Sequence, residues 1–159
     1  MSAQAICPLF ISVRPDDFDI AEEIRKLGEG RKDIGAIVTF TGLCRDEGGK
    51  LSALELEHYP GMAEAEIRRI ANEAISRWPL SGISIIHRYG LVKPGANIVL
   101  VVTASAHRKA AFEAASFLMD FMKTGAPFWK REHLIEGRTG DWVESKAEDD
   151  QSRERWLKH

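Results

Sequence analysis

The chain has only two cysteines, Cys7 and Cys44, in 159 residues. Neither sits in a Cys-x-x-Cys pair or at zinc-ligand spacing from a histidine, which excludes a disulfide framework and a structural metal and points to a reducing compartment. No apolar run approaches the roughly 18 residues that a membrane-spanning helix needs. The short run from Ala5 to Val13 is interrupted by Pro8 and follows no basic segment, so it makes a poor signal peptide and the expected location is cytoplasmic. An excess of one charge sign is missing too. With 22 Lys and Arg against 24 Asp and Glu, and a pI near 6.2, general nucleic-acid binding is not expected and any anion site must be local. There is no Walker loop, no H-E-x-x-H, no G-x-S-x-G and no Gly-rich dinucleotide loop after a strand. Neither internal repeats nor low-complexity segments occur. The chemistry is left to cations.

What is present is an ordinary globular composition, 44% apolar and 29% charged, enough to bury a core in one domain over 1–159 without staples. Asp16 and Asp17 can cap a first helix carrying Ile20, Ala21, Ile24 and Leu27 at helical spacing, with Gly28 as its stop. Gly35 to Thr41 is short and β-branched, the pattern of a buried strand. Leu51 to Tyr59 alternates, Leu54 and Leu56 against Glu55 and Glu57, as a half-solvated strand does. After the Pro60-Gly61 break, Ile67, Ile70, Ala71, Ala74, Ile75 and Trp78 mark an amphipathic helix that ends near Pro79. Ile83 to Tyr89 and Asn97 to Thr103 read as strands joined through a Pro94-Gly95 turn, the second suited to the centre of a sheet. A long helix from about Ala106 to Thr124 carries Phe112, Ala115, Met119 and Met122 on its apolar side. Its polar stripe is Lys109, Glu113, Ser116, Asp120 and Lys123. Pro127 stops it. The charged, Gly-bearing tail over 138–159 reads as peripheral or mobile, and the order of elements as α+β.

Candidate functional residues gather around this long helix. His107 and Arg108 fall in its first turn, where the helix dipole already leaves positive charge and an anion should compensate; free N–H groups plus His and Arg suit a phosphate or carboxylate. The plain alternative is a surface ion pair. Lys123 lies in the last turn within helical reach of Asp120. Lys130 and Arg131 follow the rigid segment Ala126-Pro127-Phe128-Trp129, which must fold back on something apolar and can hold Lys130 in place. Either lysine alone reads as an ordinary solvated residue. Arg45, in the loop beyond Thr41-Gly42, is a further cation at a strand end, and Cys44 beside it is a candidate reactive thiol. Crowded lysines lose pKa and become acid–base groups or nucleophiles. Residue chemistry alone thus reaches a local anion site.

The blocks GAIVTFTG, LELEHYPGM, RWPL, IIHR, TASAHR, FEAASFLMDFMK, APFWKRE and WVES resemble the large, catalytic subunit of molybdopterin synthase from about Gly35 to Ser145. The resemblance implies an α/β-hammerhead type of α+β domain with a mixed, antiparallel-rich sheet and packed helices. It implies a homodimer within a heterotetramer, carrying a small ubiquitin-like sulfur-carrier subunit at each end. The carrier's C-terminal Gly-Gly thiocarboxylate would donate sulfur to cyclic pyranopterin monophosphate, two donations making the dithiolene of the molybdenum cofactor. By motif, Lys123 and Lys130 match the family's catalytic lysines, and Arg45, His107 and Arg108 its anion-binding groups. Lys146 stands after WVES where an arginine is frequent, and an ammonium lacks the bidentate grip of a guanidinium. Gly125 stands where some relatives carry a basic side chain. No bound cofactor or metal is expected, since molybdenum enters at a later step.

Two other functions use the same features. A receptor for ubiquitin-like tails would bind without turnover, and a phosphoester or thioester hydrolase would use water in place of the thiocarboxylate. No nucleophile–base pair or metal set favours the second.

Overall fold

A computed structural model describes residues 7–125, 127–143 and 147–157. The elements, in chain order, are β1 (Leu9–Arg14), α1 (Ile20–Gly28), β2 (Ala36–Leu43), β3 (Leu51–His58), α2 (Met62–Arg77), β4 (Leu80–Arg88), β5 (Gly90–Val92), β6 (Asn97–Ser105), α3 (Arg108–Thr124), β7 (Phe128–Leu134) and α4 (Ala147–Glu154). Two sheets result. The larger runs β1-β4-β6-β2 and the smaller β5-β3-β7. Only the β1–β4 pair is parallel; the other pairs are antiparallel. The expected α+β domain with a mixed, antiparallel-rich sheet is the architecture observed.

The almost wholly buried strands β4 and β6 take the two central places, where both faces are covered. On one face Ile83, Ile85, Val99 and Val101 meet Ile67, Ile70, Ala71 and Ala74 of α2 and Ala114, Phe117, Leu118 and Phe121 of α3. On the other, Ile86, Leu100 and Val102 meet Phe18 and Leu27, with Ile20 and Ile24 of α1 packed alongside. A third cluster, Cys44, Leu51, Leu56 and Val92, fills the seam beneath the small sheet.

Several expectations need correction. β2 is an edge strand and not a buried one: α3 covers part of it, while Ile37, Phe40 and Leu43 are exposed. A β-branched run reports pairing propensity, and an edge place satisfies that as well as a central one. The cap of α1 is Asp19, whose carboxylate accepts from the Glu22 N–H at 3.2 Å. Asp17 instead accepts from the Phe18 N–H and from Asn97 Nδ2. On α3, Phe112 faces outward at 61% exposure, and the inward face is carried by Ala111, Ala114, Phe117, Leu118 and Phe121.

The Pro94-Gly95 turn is present, with Gly95 at φ +87° and the Ala96 N–H bonded to the Lys93 carbonyl, but β5 lies between it and β4. Gly35 marks a close approach. A Cβ there would collide with the Ala106 carbonyl oxygen, so β2 begins directly under the loop that enters α3.

Arg155 and Trp156 lie on α3. Trp156 packs edge-on against Trp78 and Phe117 and donates its indole N–H to Asp120 at 2.6 Å; Arg155 also reaches Ser116 and Asp120. Trp78 donates to Glu113 at 2.7 Å. Three residues of the polar stripe on α3 are therefore acceptors for indole and guanidinium groups, and Asp120 pairs with Arg155 and Trp156 instead of Lys123.

Candidate active site

The C-terminal end of α3 comes down where the two sheets meet. β4 delivers His87 to this seam, because its register opposite Val99 places it near the start of β6. The His87 ring is buried, 9% exposed, and lies flat on Phe128 with centroids 3.7 Å apart and planes 15° from parallel. Phe128 opens β7 and is also stacked with His58, its cross-strand partner on β3, at 6.0 Å. His58 in turn meets Tyr89 at 4.4 Å. Two histidines and two aromatic rings thus pin the large sheet to the small one. The His58 Nδ1 is buried without a hydrogen-bond partner, its nearest carboxylate, Glu57, standing 3.9 Å away.

The charge state of His87 follows from this packing. Burial pushes its pKa down to about 4, and the nearby Lys123 ammonium and His58 push the same way. Its Nδ1 is 2.8 Å from the Arg88 carbonyl oxygen. A carbonyl only accepts, so Nδ1 carries the single proton and Nε2 holds the lone pair.

Lys123, exposed in the last turn of α3, lies near enough to His87 for its charge to act on the ring. Lys130 lies on the strand that Phe128 opens. Alternate residues of a strand share a face, and Arg131 and His133 of β7 point outward together to Glu55. That leaves Phe128 and Lys130 on the inner face, with Lys130 opposite the buried Leu56. Leu56 belongs to the same apolar cluster as Cys44, and Cys44 immediately precedes Arg45. Lys123 and Lys130 are thus both tied to the His87–Phe128 stack, while Arg45 follows the cluster beneath the small sheet in sequence. Arg45 is exposed and pairs with Glu47 of its own loop. Cys44 is 3% exposed and burial raises its thiol pKa, so it serves as packing and the reactive-thiol reading fails.

His107 and Arg108 are elsewhere. His107 is the N-cap of α3, not a first-turn residue, and its side chain makes no capping bond. Arg108 opens the helix, and both side chains are exposed. Fifteen residues of helix separate Arg108 from Lys123, about 22 Å at 1.5 Å per residue. One copy of the chain does not bring these two groups of cations together. Lys146 lies outside the described residues. Among the described residues no group of three metal-ligating side chains occurs, and no helix is long and apolar enough to cross a membrane.

Sequence reasoning missed His87 and His58. A histidine at the end of an apolar strand gives no sign of its stacking partner, although His87 stands in the IIHR block and Phe128 in APFWK.

A family model described as MoaE protein matches residues 13–125. The chain belongs to the MoaE family. Across 156 residues it is 71% identical to the molybdopterin synthase catalytic subunit of Brucella melitensis, covering 98% of this chain and 96% of that one. The Escherichia coli catalytic subunit is 49% identical over 148 residues, 92% of this chain and 97% of its own length. Among solved structures, a molybdopterin biosynthesis MoaE protein from Burkholderia ambifaria superimposes with a TM-score of 0.81 at 41% identity, covering 94% of this chain and 98% of that one. The MoaE fold and the enzyme class expected from the sequence, a sulfurtransferase of molybdenum cofactor biosynthesis, are those of this family.

Proposed function

We infer that the seam at the C-terminal end of α3 is where sulfur is transferred from the C-terminal thiocarboxylate of a small ubiquitin-like carrier to cyclic pyranopterin monophosphate, in the cytoplasm. The observation that carries this reading is that one ring stack has Lys123 acting on His87 and Lys130 two residues beyond Phe128 on the same strand face. Transfer forms a carbon–sulfur bond to the pterin and breaks the acyl–sulfur bond of the carrier, water taking the acyl carbon to leave a carboxylate, and opening the cyclic phosphate frees an oxyanion. Both events build negative charge that fixed ammonium groups in a partly dehydrated seam stabilise. Lys123 and Lys130 act as acid, base or electrostatic clamp, and Arg45, His107, Arg108 and Lys146 hold substrate anions.

The length of α3 adds a condition. If His107 and Arg108 clasp the same substrate as Lys123, they come from a second copy, which supports a homodimer whose pockets are shared between protomers, with one carrier subunit on each. Their exposed cationic side chains at a helix start with no acidic first-turn residue are suited to an anion presented by another chain.

The test is a single-turnover conversion of cyclic pyranopterin monophosphate by this chain with a thiocarboxylated carrier, beside the same mixture with a carboxylate-ended carrier. Dithiolene product only with the thiocarboxylate is the expected outcome. Tight carrier binding with no product would replace this reading with that of a receptor.

A further inference from the structure

The two lysines sit on elements of different sheets and need something to fix their relation. Lys123 ends a helix packed on the large sheet, whereas Lys130 belongs to β7, at the edge of the small one. β3 and β7 pair with each other over seven residues, but among the described residues no strand of the small sheet pairs with the large sheet. At the seam His87 of β4 lies directly on Phe128 of β7, beside the contact of His58 of β3 with Tyr89.

We propose that His87 is a positioning residue for sulfur transfer: clamped to the Arg88 carbonyl and stacked on Phe128, it fixes the start of β7 and thereby the place of Lys130 relative to Lys123. The inference rests on the sulfur-transfer reading above and goes beyond it by naming a residue that acts through another. Phe128 stands two residues before Lys130 on the same strand face, so a tilt of the Phe128 ring is passed to Lys130 through two pleated residues. His87 suits the task chemically. A flat ring with one nitrogen bonded to backbone cannot rotate without breaking that bond, and the titratable groups acting on it from neighbouring elements are Lys123 of α3 and His58 of β3. Neither supplies a carboxylate that would draw a proton onto the ring, so no second cation competes with Lys123 for the substrate anion.

The experiment measures single-turnover dithiolene formation at saturating carrier and pterin, together with carrier affinity by calorimetry, for His87→Ala, His87→Phe and His87→Ala combined with Lys130→Ala. A small misplacement of a reacting group costs on the order of 10- to 100-fold in rate. That loss is expected for His87→Ala with carrier affinity unchanged. His87→Phe, which restores a flat ring on Phe128, should return the rate to within about threefold of wild type, and His87→Ala should cost nothing further in the Lys130→Ala background. A His87→Ala rate equal to wild type overturns the proposal, as does a His87→Phe variant as slow as His87→Ala, or a full additional loss without Lys130. If His87→Ala does not fold, Phe128→Leu removes the stack from the other side, and an undiminished rate there overturns it equally. A wild-type chain that gives no product overturns the sulfur-transfer reading itself; wild-type turnover beside an unaffected His87→Ala overturns this inference alone.

Discussion

The two ends of α3 are built in opposite ways. At the C-terminal end Lys123 lies near a ring stack in which buried His87 meets partly buried Phe128 and His58. At the N-terminal end His107 and Arg108 are exposed, the capping side chain bonds nothing, and Phe112 faces outward a turn later. A cation in the last turn of a helix is favoured by the dipole, and one at the opposite end is unfavourable until an anion or another molecule arrives. On the function proposed above, the first end would serve the chemistry within a copy and the second what that copy presents outward.

The largest effects should come from the enclosed end. Lys123→Ala and Lys130→Ala are each expected to lower single-turnover dithiolene formation by at least about 100-fold, the scale of losing one group that stabilises developing charge. Normal turnover in both would sink the catalytic assignment. The open end is tested by mixing. Suppose Lys123→Ala copies are paired with Arg108→Ala copies in purified mixed dimers. A pocket shared across a two-fold axis leaves one intact site of two, and about half of wild-type activity should return. If each pocket lies within one copy, the mixed dimer carries two defective sites and no activity returns.

The sequence made much of the enclosed end visible and little of the geometry that joins it. Lys123 and Lys130 could be named from their motifs, and α2, α3 and β6 from periodicity, because those elements owe their positions to apolar faces that a single window of sequence displays. β7 escaped because Phe128 to Leu134 runs two aromatics and then four charged or polar residues beside a proline, with no period-two alternation of apolar and polar side chains, a pattern as consistent with a loop. The contact of His87 with Phe128 spans 41 residues and is fixed by the meeting of two sheets, which no local pattern encodes. The distance between Arg108 and Lys123 was, by contrast, fully legible. It follows from helix length at 1.5 Å per residue.

The buried stack should also make the fold acid-sensitive in a defined window. The pKa of His87 is about 4 in the folded chain against 6.5 when unperturbed. Between those values the unfolded chain binds the proton and the folded chain does not, so stability declines as pH falls from 6.5 toward 4 and this contribution is constant outside that range. The full span is worth roughly 3 kcal/mol. Denaturant melts at pH 7 and pH 5 should therefore show wild type losing about 2 kcal/mol more than His87→Phe; equal losses would mean the ring is not held neutral. The outer face of the small sheet titrates lower. There Arg131 and His133 hold the Glu55 carboxyl below its usual range, so its contribution is present above the ordinary carboxylate pKa and is lost as pH falls through the depressed folded value.

A smaller effect belongs to the docked C-terminal segment. Trp156→Ala removes two edge-on ring contacts and the bond to Asp120. Because the indole is only partly buried, about 2 kcal/mol is expected, below the range for a fully buried tryptophan. Calorimetric melting reads it directly, and an unchanged midpoint would mean that the segment contributes nothing to the fold.

The smallest effect separates three aspartates that look alike in sequence. Asp16, Asp17 and Asp19 all precede the first helix within four residues, and each has the chemistry of a cap. Only Asp19 accepts the helical N–H of Glu22, so Asp19→Ala should cost about 1 kcal/mol, the usual value of an N-cap. Asp17 spans 80 residues to Asn97 at the start of β6, and its carboxyl is held low first by that bond and then by the Phe18 N–H. Its loss frees the approach to α1 from the sheet and leaves the helix start intact. Amide exchange distinguishes the two: Asp19→Ala should speed exchange in the first turn of α1, while Asp17→Ala should act at the start of β6. A first turn that exchanges faster only in Asp17→Ala would return the cap to the residue that the sequence first suggested.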